Sequence, residues 1–296
     1  MTLTATEVLT GIDLTGRRMI VTGGTSGIGL ETARALSAAG ADVTVTARRP
    51  LHLAGLRVVT LDLTDLDAVR AFTTGWDGPL HALVANAGVM AIPERRLSPA
   101  GWELQLATNF LGHFALATGL HTHLRAAGDA RVAIVSSGAQ LRSGVDFEDI
   151  NFQRRPYDPW TAYAQSKAAG VLLAVEIAKR WAPDGVVANA ANPGRIHTNL
   201  QRHVDAATMR AMGAMDESGN LLHPAGFKTP QQGAAPATML AAAPVPGNVT
   251  GRYFEEDRHE ATVVPGGPDA ESGVASWSMD PAAATRLWDL AERAIG

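Results

Sequence analysis

The chain of 296 residues contains no cysteine. Disulfides, thiolate catalysis and cysteine metal sites are therefore excluded, and a reducing, cytoplasmic setting is the expectation that fits. A surplus of basic charge is also missing. The formal net charge is −4 and the pI is near 6.1, so no general electrostatic footprint for nucleic acid or an anionic membrane is present. The opening residues, MTLTATEVLTGIDLTGRR, lack a basic start followed by an apolar core, and no signal peptide is expected. No apolar run is long enough to span a bilayer. There is no HExxH, and His121 and His123 stand two apart, so on a helix they do not share a face. No metal site is expected. With 46% hydrophobic and 18% charged residues, the chain can bury a substantial core.

What remains is a regular alternation. RRMIVTGG is a short apolar run ending in glycines, and GIGLETARALSAAGA follows with helical spacing and a stop at Gly40. DVTVTARR and LRVVTLDL read as strands, LDAVRAFTTGW as a short helix and PLHALVANAG as a buried strand. Residues 102–127 read as a long helix interrupted by Gly112 and Gly119. ARVAIVSSGA is a strand, the next helix runs to about Trp181, and GVVANAANPG is again a strand. NVTGRYFEE reads as a last strand, and TPQQGAAPATMLAAA and DPAAATRLWDLAERAIG as helices, the second with Pro281 at its first position. Apolar strands alternating with helices imply an α/β fold with a parallel sheet covered on both faces. No repeat or composition break divides residues 1–296, so a single domain is expected.

Two short stretches carry chemistry. TGGTSGIG, Thr22 to Gly29, joins the first strand to the first helix. Its glycines suit a tight turn or a close backbone approach, and the helix N-terminus behind them offers free N–H groups to a pyrophosphate. In TAYAQSKAAG, Tyr163 and Lys167 stand at i and i+4 and share a helix face. A phenol beside an ammonium is an acid/base pair whose positive partner favours tyrosinate. A tyrosine stacked along a solvated lysine stem is the plain alternative.

The spacing TGxxxGIG, with Asn86-Ala87-Gly88, Ser137, Tyr163 and Lys167 in order over roughly residues 9–200, resembles the short-chain dehydrogenase/reductase family. The stretches VLTGIDLTGRRMIVTGGTSGIG, TNFLGHF and NPGRIHTNL are most similar to its retinol-dehydrogenase-like and WW-domain-oxidoreductase-like branch. The resemblance implies one doubly wound Rossmann-type domain and a nicotinamide cofactor. It implies that Tyr163 is the proton donor, tuned by Lys167, which also holds the nicotinamide ribose. It makes Ser137 the hydrogen-bond donor to the substrate oxygen, with Ser136 the competing assignment. Asn109 would support a water-mediated proton relay, or else be a helix-kink amide. Cofactor contacts fall on Gly23, Thr25, Ser26, Gly27, Ile28 and Gly29 of the first loop, and on Asn86, Ala87 and Gly88 beside it. Pro193, Gly194, Ile196 and Thr198 would line the nicotinamide.

The cofactor's identity rests on TARRP at the end of the second strand. An acidic residue there recognises ribose hydroxyls, whereas an arginine accommodates a 2′-phosphate. Arg48 follows Ala47 with no acid at the strand end, which favours NADP(H) over NAD(H). Asp62 and Leu63 resemble the pair flanking the adenine, although Asp62 also suits a turn. Two departures stand out. Only RPLHLAG separates the second and third strands, too short for an ordinary crossover helix. Residues 138–160 form an insertion expected at the substrate mouth, and it would obstruct a helix face used for tetramers, leaving a monomer or homodimer. Residues 195–230 are expected to form a lid, with Met209, Met212 and Met215 along one side of a helix, and a surface helix packing that stripe on the core is the plain alternative.

The leading reading is an NADP(H)-dependent carbonyl reductase or alcohol dehydrogenase acting on a small hydrophobic molecule. A catalytically silent, cofactor-bound sensor on the same fold is the alternative, and a dehydratase or epimerase a third. The set Ser137, Tyr163, Lys167 and Asn109 weighs against the sensor, because a binding module needs no proton donor.

Overall fold

A computed structural model describes residues 3–244, 249–256 and 258–296. Seven parallel strands form the main sheet: β1 Arg18–Val21, β2 Asp42–Ala47, β3 Arg57–Thr60, β4 Ala82–Ala85, β5 Arg131–Val135, β6 Val187–Ala191 and β7 Tyr253–Phe254. Their order across the sheet is β3-β2-β1-β4-β5-β6-β7, so the chain winds outward from β1 in both directions. This is the doubly wound arrangement, whose switch point lies between β1 and β4.

The strands are short and apolar because both faces are buried. Ile20, Leu83, Val132, Ile134 and Ala188 point to one layer, where they meet Phe110, Phe114, Leu172 and Trp288. Val21, Val45, Val84, Ala133 and Val135 point to the other, against Ala33, Leu36, Ala237 and Leu240. The first layer holds the helices Leu66–Thr74, Pro159–Trp181 and Pro281–Ile295. The second holds Gly27–Ala38 and Pro230–Ala242.

The long helix expected over residues 102–127 is divided, and its junctions fall at the two glycines expected to interrupt it. It runs as Leu104–Leu106, a π-helical segment Ala107–Leu111, Gly112–Gly119 and His121–Ala127. The π-helical segment gives way at Gly112 and the break at Leu120 follows Gly119, and close packing also keeps side chains out of both positions. A Cβ on Gly112 would collide with the Leu63 carbonyl oxygen, and one on Gly119 would lie 2.6 Å from Thr73 Oγ1.

The short link between β2 and β3 is real. Residues 48–56 connect two parallel, paired strands with no helix. Leu53 and Leu56 cover that corner in place of one. The methionine stripe is corrected. The helix there is only Ala206–Ala211. Met209 is buried, Met212 caps the helix end at 56% exposure, and Met215 bridges to Leu221 beyond it. Gly213 and Gly219, both in the left-handed region, turn the chain before a third helical turn can form.

Candidate active site

The first loop leaves β1 at Thr22 and enters the helix Gly27–Ala38. Ser26 caps that helix with extended backbone but makes no side-chain capping bond. The first N–H groups are therefore left for an anion. Gly23 and Gly27 have positive φ values of 62° and 52°. A Cβ on Gly23 would stand 2.9 Å from Ala87 Cα, and one on Gly27 3.1 Å from Thr198 Cγ2. A Cβ on Gly29 would strike the Asn86 amide. The loop thus packs closely on the Asn86-Ala87-Gly88 turn and on the start of the segment after β6, with Gly23 against the Ala87 backbone and Gly27 and Gly29 against the Thr198 and Asn86 side chains.

Hydrogen bonds fix the same junction. Asn86 Nδ2 donates to the Thr22 carbonyl at 2.8 Å. The Asn86 and Ala87 N–H groups both donate to Thr22 Oγ1 at 2.9 Å. Asn109 accepts from Val89 N at Oδ1 and donates through Nδ2 to the Val89 carbonyl, both at 2.9 Å, and to Ser166 Oγ at 2.8 Å. Its side chain is thereby committed to holding the chain after β4. It also lies in the π-helical segment, a local deviation found mostly at functional sites.

The Tyr163 helix, Pro159–Trp181, is started by Asp158, whose carboxylate accepts from Thr161 N at 2.7 Å. Tyr163 is 4% and Lys167 6% exposed. Ser137 stands close enough to the Tyr163 phenol to favour its ionised form. Ser136 instead donates to the Lys167 carbonyl. Ser137 is therefore the serine that the fold brings to the phenol. Lys167 Nζ donates to the Val135 carbonyl at 2.9 Å and lies 5.7 Å from the Tyr163 ring centroid.

Burial, not the lysine, governs the phenol within the protein's own atoms. It pushes Tyr163 up to about 12, with Ser137 opposing, and pushes Lys167 down to about 8. The expected draw towards neutral pH includes the positive charge of an oxidised nicotinamide as well as Lys167, and that charge is no part of this balance. The penalty for a buried charge exceeds the gain from a neighbour that is itself desolvated.

The apolar wall of the site was not read from the sequence. Met90 and Ala91 pack on Tyr163 with Ala139, Leu200 and Val204 at their edge. Ala91 has a φ of 51°, costly for a residue with a Cβ and most often met at functional sites. Leu200 lies in the short helix Asn199–His203 and Val204 ends it, and Thr198 and Gln201 cap its start reciprocally. Gly194 has a φ of 88°, and a Cβ there would strike the Glu256 carboxylate. Pro193 turns the chain just before it, and Ile196 is buried against Gly233.

The remaining positions are placed less centrally. Arg48 is exposed at the end of β2. Asp62 accepts from both Thr64 N and Thr64 Oγ1, as a turn residue does, and Leu63 is buried under Gly112. Thr25 and Ile28 are half-buried. The insertion at 138–160 docks through Asn151, which accepts from Glu103 N and Arg95 Nε, and through Tyr157, which donates to the Ile92 carbonyl. His121 pairs with Asp184 and stacks on Trp181, while His123 meets the Gly78 carbonyl, so both serve the fold.

The family model of the short chain dehydrogenases matches residues 17–208. The chain belongs to the short-chain dehydrogenase family. A Streptomyces antibioticus protein named "Probable oxidoreductase" is 57% identical to this short-chain dehydrogenase, over 96% of the chain and 99% of the relative. Mouse retinol dehydrogenase 13 is 35% identical, over 95% and 84% of the two chains, in keeping with the retinol-dehydrogenase-like branch. A crystal structure of an uncharacterized Mycobacterium paratuberculosis protein superposes with a TM-score of 0.74 at 31% identity, covering 100% and 98% of the chains. A gluconate 5-dehydrogenase from Burkholderia cenocepacia, solved in complex with NADP and tartrate, gives a TM-score of 0.61 at 25% identity, covering 82% and 94%. This short-chain dehydrogenase is accordingly an oxidoreductase of a family that binds a nicotinamide cofactor.

Proposed function

We propose that the protein is an NADP(H)-dependent oxidoreductase that interconverts a carbonyl and a primary or secondary alcohol on a small hydrophobic molecule. The observation that carries this reading is the buried Tyr163 phenol, with Ser137 close enough to oppose its upward shift and Lys167 Nζ 5.7 Å from its ring centroid. The uncapped helix start behind Ser26 and the close-approach glycines Gly23, Gly27 and Gly29 fit a dinucleotide pyrophosphate. Asn86, Ala87, Gly88, Pro193, Gly194, Ile196 and Thr198 would line its nicotinamide half, and Lys167 would hold the ribose. When bound, the cofactor supplies or accepts the hydride.

The protein's own residues do the rest. Ser137 donates to the substrate oxygen and stabilises the negative charge that develops there. Tyr163 gives that oxygen its proton. A phenol held at about 12 is fully protonated at neutral pH, so it is ready to donate in the reducing direction. Met90, Ala91, Leu200 and Val204 exclude water and suit an apolar substrate. Asn109 holds the relay side of the site through Val89 and Ser166.

Arg48 supports the phosphorylated cofactor, since no acid follows β2. Burial and then the charge of Arg48 lower the Arg202 guanidinium, so a second cation stands near the first. Both are without an ion-pair partner among the described residues. The NADP complex of the gluconate 5-dehydrogenase agrees with this choice. The helix Pro281–Ile295 covers the outer faces of two neighbouring helices with Leu287 and Trp288, which favours a monomer or a homodimer through another face.

The test is NADPH oxidation with a panel of ketones and aldehydes, comparing the wild type with Tyr163→Phe. The variant should bind NADPH as before and lose about 10²–10⁴ in kcat. A variant keeping more than about a tenth of wild-type kcat would sink the assignment, because a positioned acid contributes more than that.

A further inference from the structure

His113 is a buried titratable group that the reaction does not use. It is 2% exposed and stands four residues after Asn109, in the helix that follows the π-helical segment. One ring nitrogen, Nδ1, lies 3.0 Å from the Asn109 carbonyl oxygen, and the other, Nε2, 2.8 Å from Thr22 Oγ1.

The protons can be placed by counting. A carbonyl only accepts, so Nδ1 carries the proton. Burial, with Lys167 as a minor contributor, lowers the imidazole to about 4, so the ring is neutral and Nε2 is an acceptor. Thr22 Oγ1 already accepts from the Asn86 and Ala87 N–H groups. Its single proton is left to donate, and Nε2 at 2.8 Å is better placed than the Val84 carbonyl at 3.3 Å. A directed chain results: turn N–H groups to Thr22, Thr22 to His113, His113 to the Asn109 carbonyl.

We propose that His113 is a positioning residue that locks the first loop, the Asn86-Ala87-Gly88 turn and the Asn109 segment into one rigid cofactor platform. The inference rests on the reading of that loop as a nicotinamide-cofactor site. The neutral ring is the only side chain that touches both Thr22 Oγ1 and the Asn109 carbonyl among the described residues. Without an acceptor at Nε2 the threonine hydroxyl can turn to Val84, and the two N–H groups of the turn lose a fixed partner.

Two variants separate the two ends of the ring. Asparagine places its amide nitrogen near Nδ1 and keeps the bond to the Asn109 carbonyl, but offers nothing to Thr22. Glutamine reaches the Nε2 position and keeps an acceptor for Thr22, but gives up Asn109. Fluorescence titration with NADPH, and in parallel with NADH, should show His113→Asn binding both about tenfold more weakly, the size of one lost buried hydrogen bond. His113→Gln should stay within about threefold of wild type in the same titration, since its acceptor for Thr22 is retained. In a double-mutant cycle, adding His113→Asn to Thr22→Val should cost nothing further. A purely structural histidine predicts lowered melting temperatures in both variants with no difference in binding. That pattern, wild-type affinity in His113→Asn, or additive losses in the cycle overturns the proposal. Should His113→Asn not fold, Thr22→Val removes the centre of the chain, the Asn86 and Ala87 bonds included, and wild-type affinity there is equally fatal. A wild type that binds neither nucleotide overturns the cofactor reading as well, and is told apart by being seen before any variant is compared.

Discussion

Ser136 donates its hydroxyl proton to the carbonyl oxygen of Lys167, 2.9 Å away, and so turns its back on the phenol that its neighbour Ser137 meets. Two adjacent serines at one strand end thus have opposite duties. Ser137→Ala should lose about 10²–10³ in kcat, as when one donor to a developing oxyanion is removed, with little change in melting temperature. Ser136→Ala should keep most of its turnover and lose about 1 kcal/mol of stability for a buried hydrogen bond. Steady-state kinetics and thermal unfolding of the two variants decide the matter, and the reverse pattern contradicts the assignment.

Lys167 makes stability depend on pH with a definite sign. Burial holds its folded pKa at about 8, below the 10.5 of a free lysine. Between those values the unfolded chain carries a proton that the folded chain has lost, so stability rises with pH across that window. The penalty is fully felt below pH 8. Tyr163, shifted upward, works in the opposite sense only above pH 10. Lys167→Met should therefore be more stable than wild type at pH 7, with a lead that shrinks by up to about 3 kcal/mol as pH climbs through the window. Urea unfolding at several pH values measures the lead, and a lead that does not change with pH contradicts the burial of a charged lysine.

Arg48→Asp should exchange attraction for repulsion at the proposed 2′-phosphate. Loss of a charge-assisted bond of roughly 1.5–3 kcal/mol corresponds to about one to two decades in NADPH affinity, with NADH affinity spared. Paired Kd measurements test this. A wild type that already prefers NADH removes the role of Arg48.

The segment after β6 is expected to close over the substrate through Leu200 and Val204, not through a stripe of methionines. Hydrogen exchange in residues 199–204 should slow when a product analogue joins the NADP complex. Met209→Ala, which empties a buried position, should cost about 2–4 kcal/mol or loosen this segment measurably. Met212→Ala should do neither, since Met212 is 56% exposed. Equal effects of the two variants would contradict the placement of the segment.

Much of this was legible in the residues because the signals are local. A glycine-rich turn between strand and helix, and a tyrosine one helical turn before a lysine, need only a few consecutive positions. The strand order follows from alternating βα units. What could not be read was whatever depends on approach between distant segments. Gly112 and Gly119 look like helix breakers in a string of letters, which hides that Leu63 and Thr73 also press on the helix there. His113 sits in the quoted stretch TNFLGHF, but its partner Thr22 lies 91 residues away. The methionine spacing suggested a helix face, and two glycines bent the chain before the face was complete. The upward shift of Tyr163 was missed because sequence shows the charge of a neighbour and hides the loss of water.

The bare link between β2 and β3 has a consequence for how the enzyme could change. β3 is an edge strand, with Arg57 and Thr60 exposed and Val58 and Val59 only half-buried. Arg48 opens a loop that carries no helix and packs its corner on the core through Leu53 and Leu56. Residues in such a loop can be exchanged or lengthened at little cost to the core. The proposed phosphate end of the cofactor site is thereby open to drift, whereas Ser137, Tyr163 and Lys167 are fastened to the end of β5 and to the helix Pro159–Trp181. A lineage carrying this fold can trade one nicotinamide pool for another by rewriting a few exposed positions, and keep its chemistry untouched while it does so.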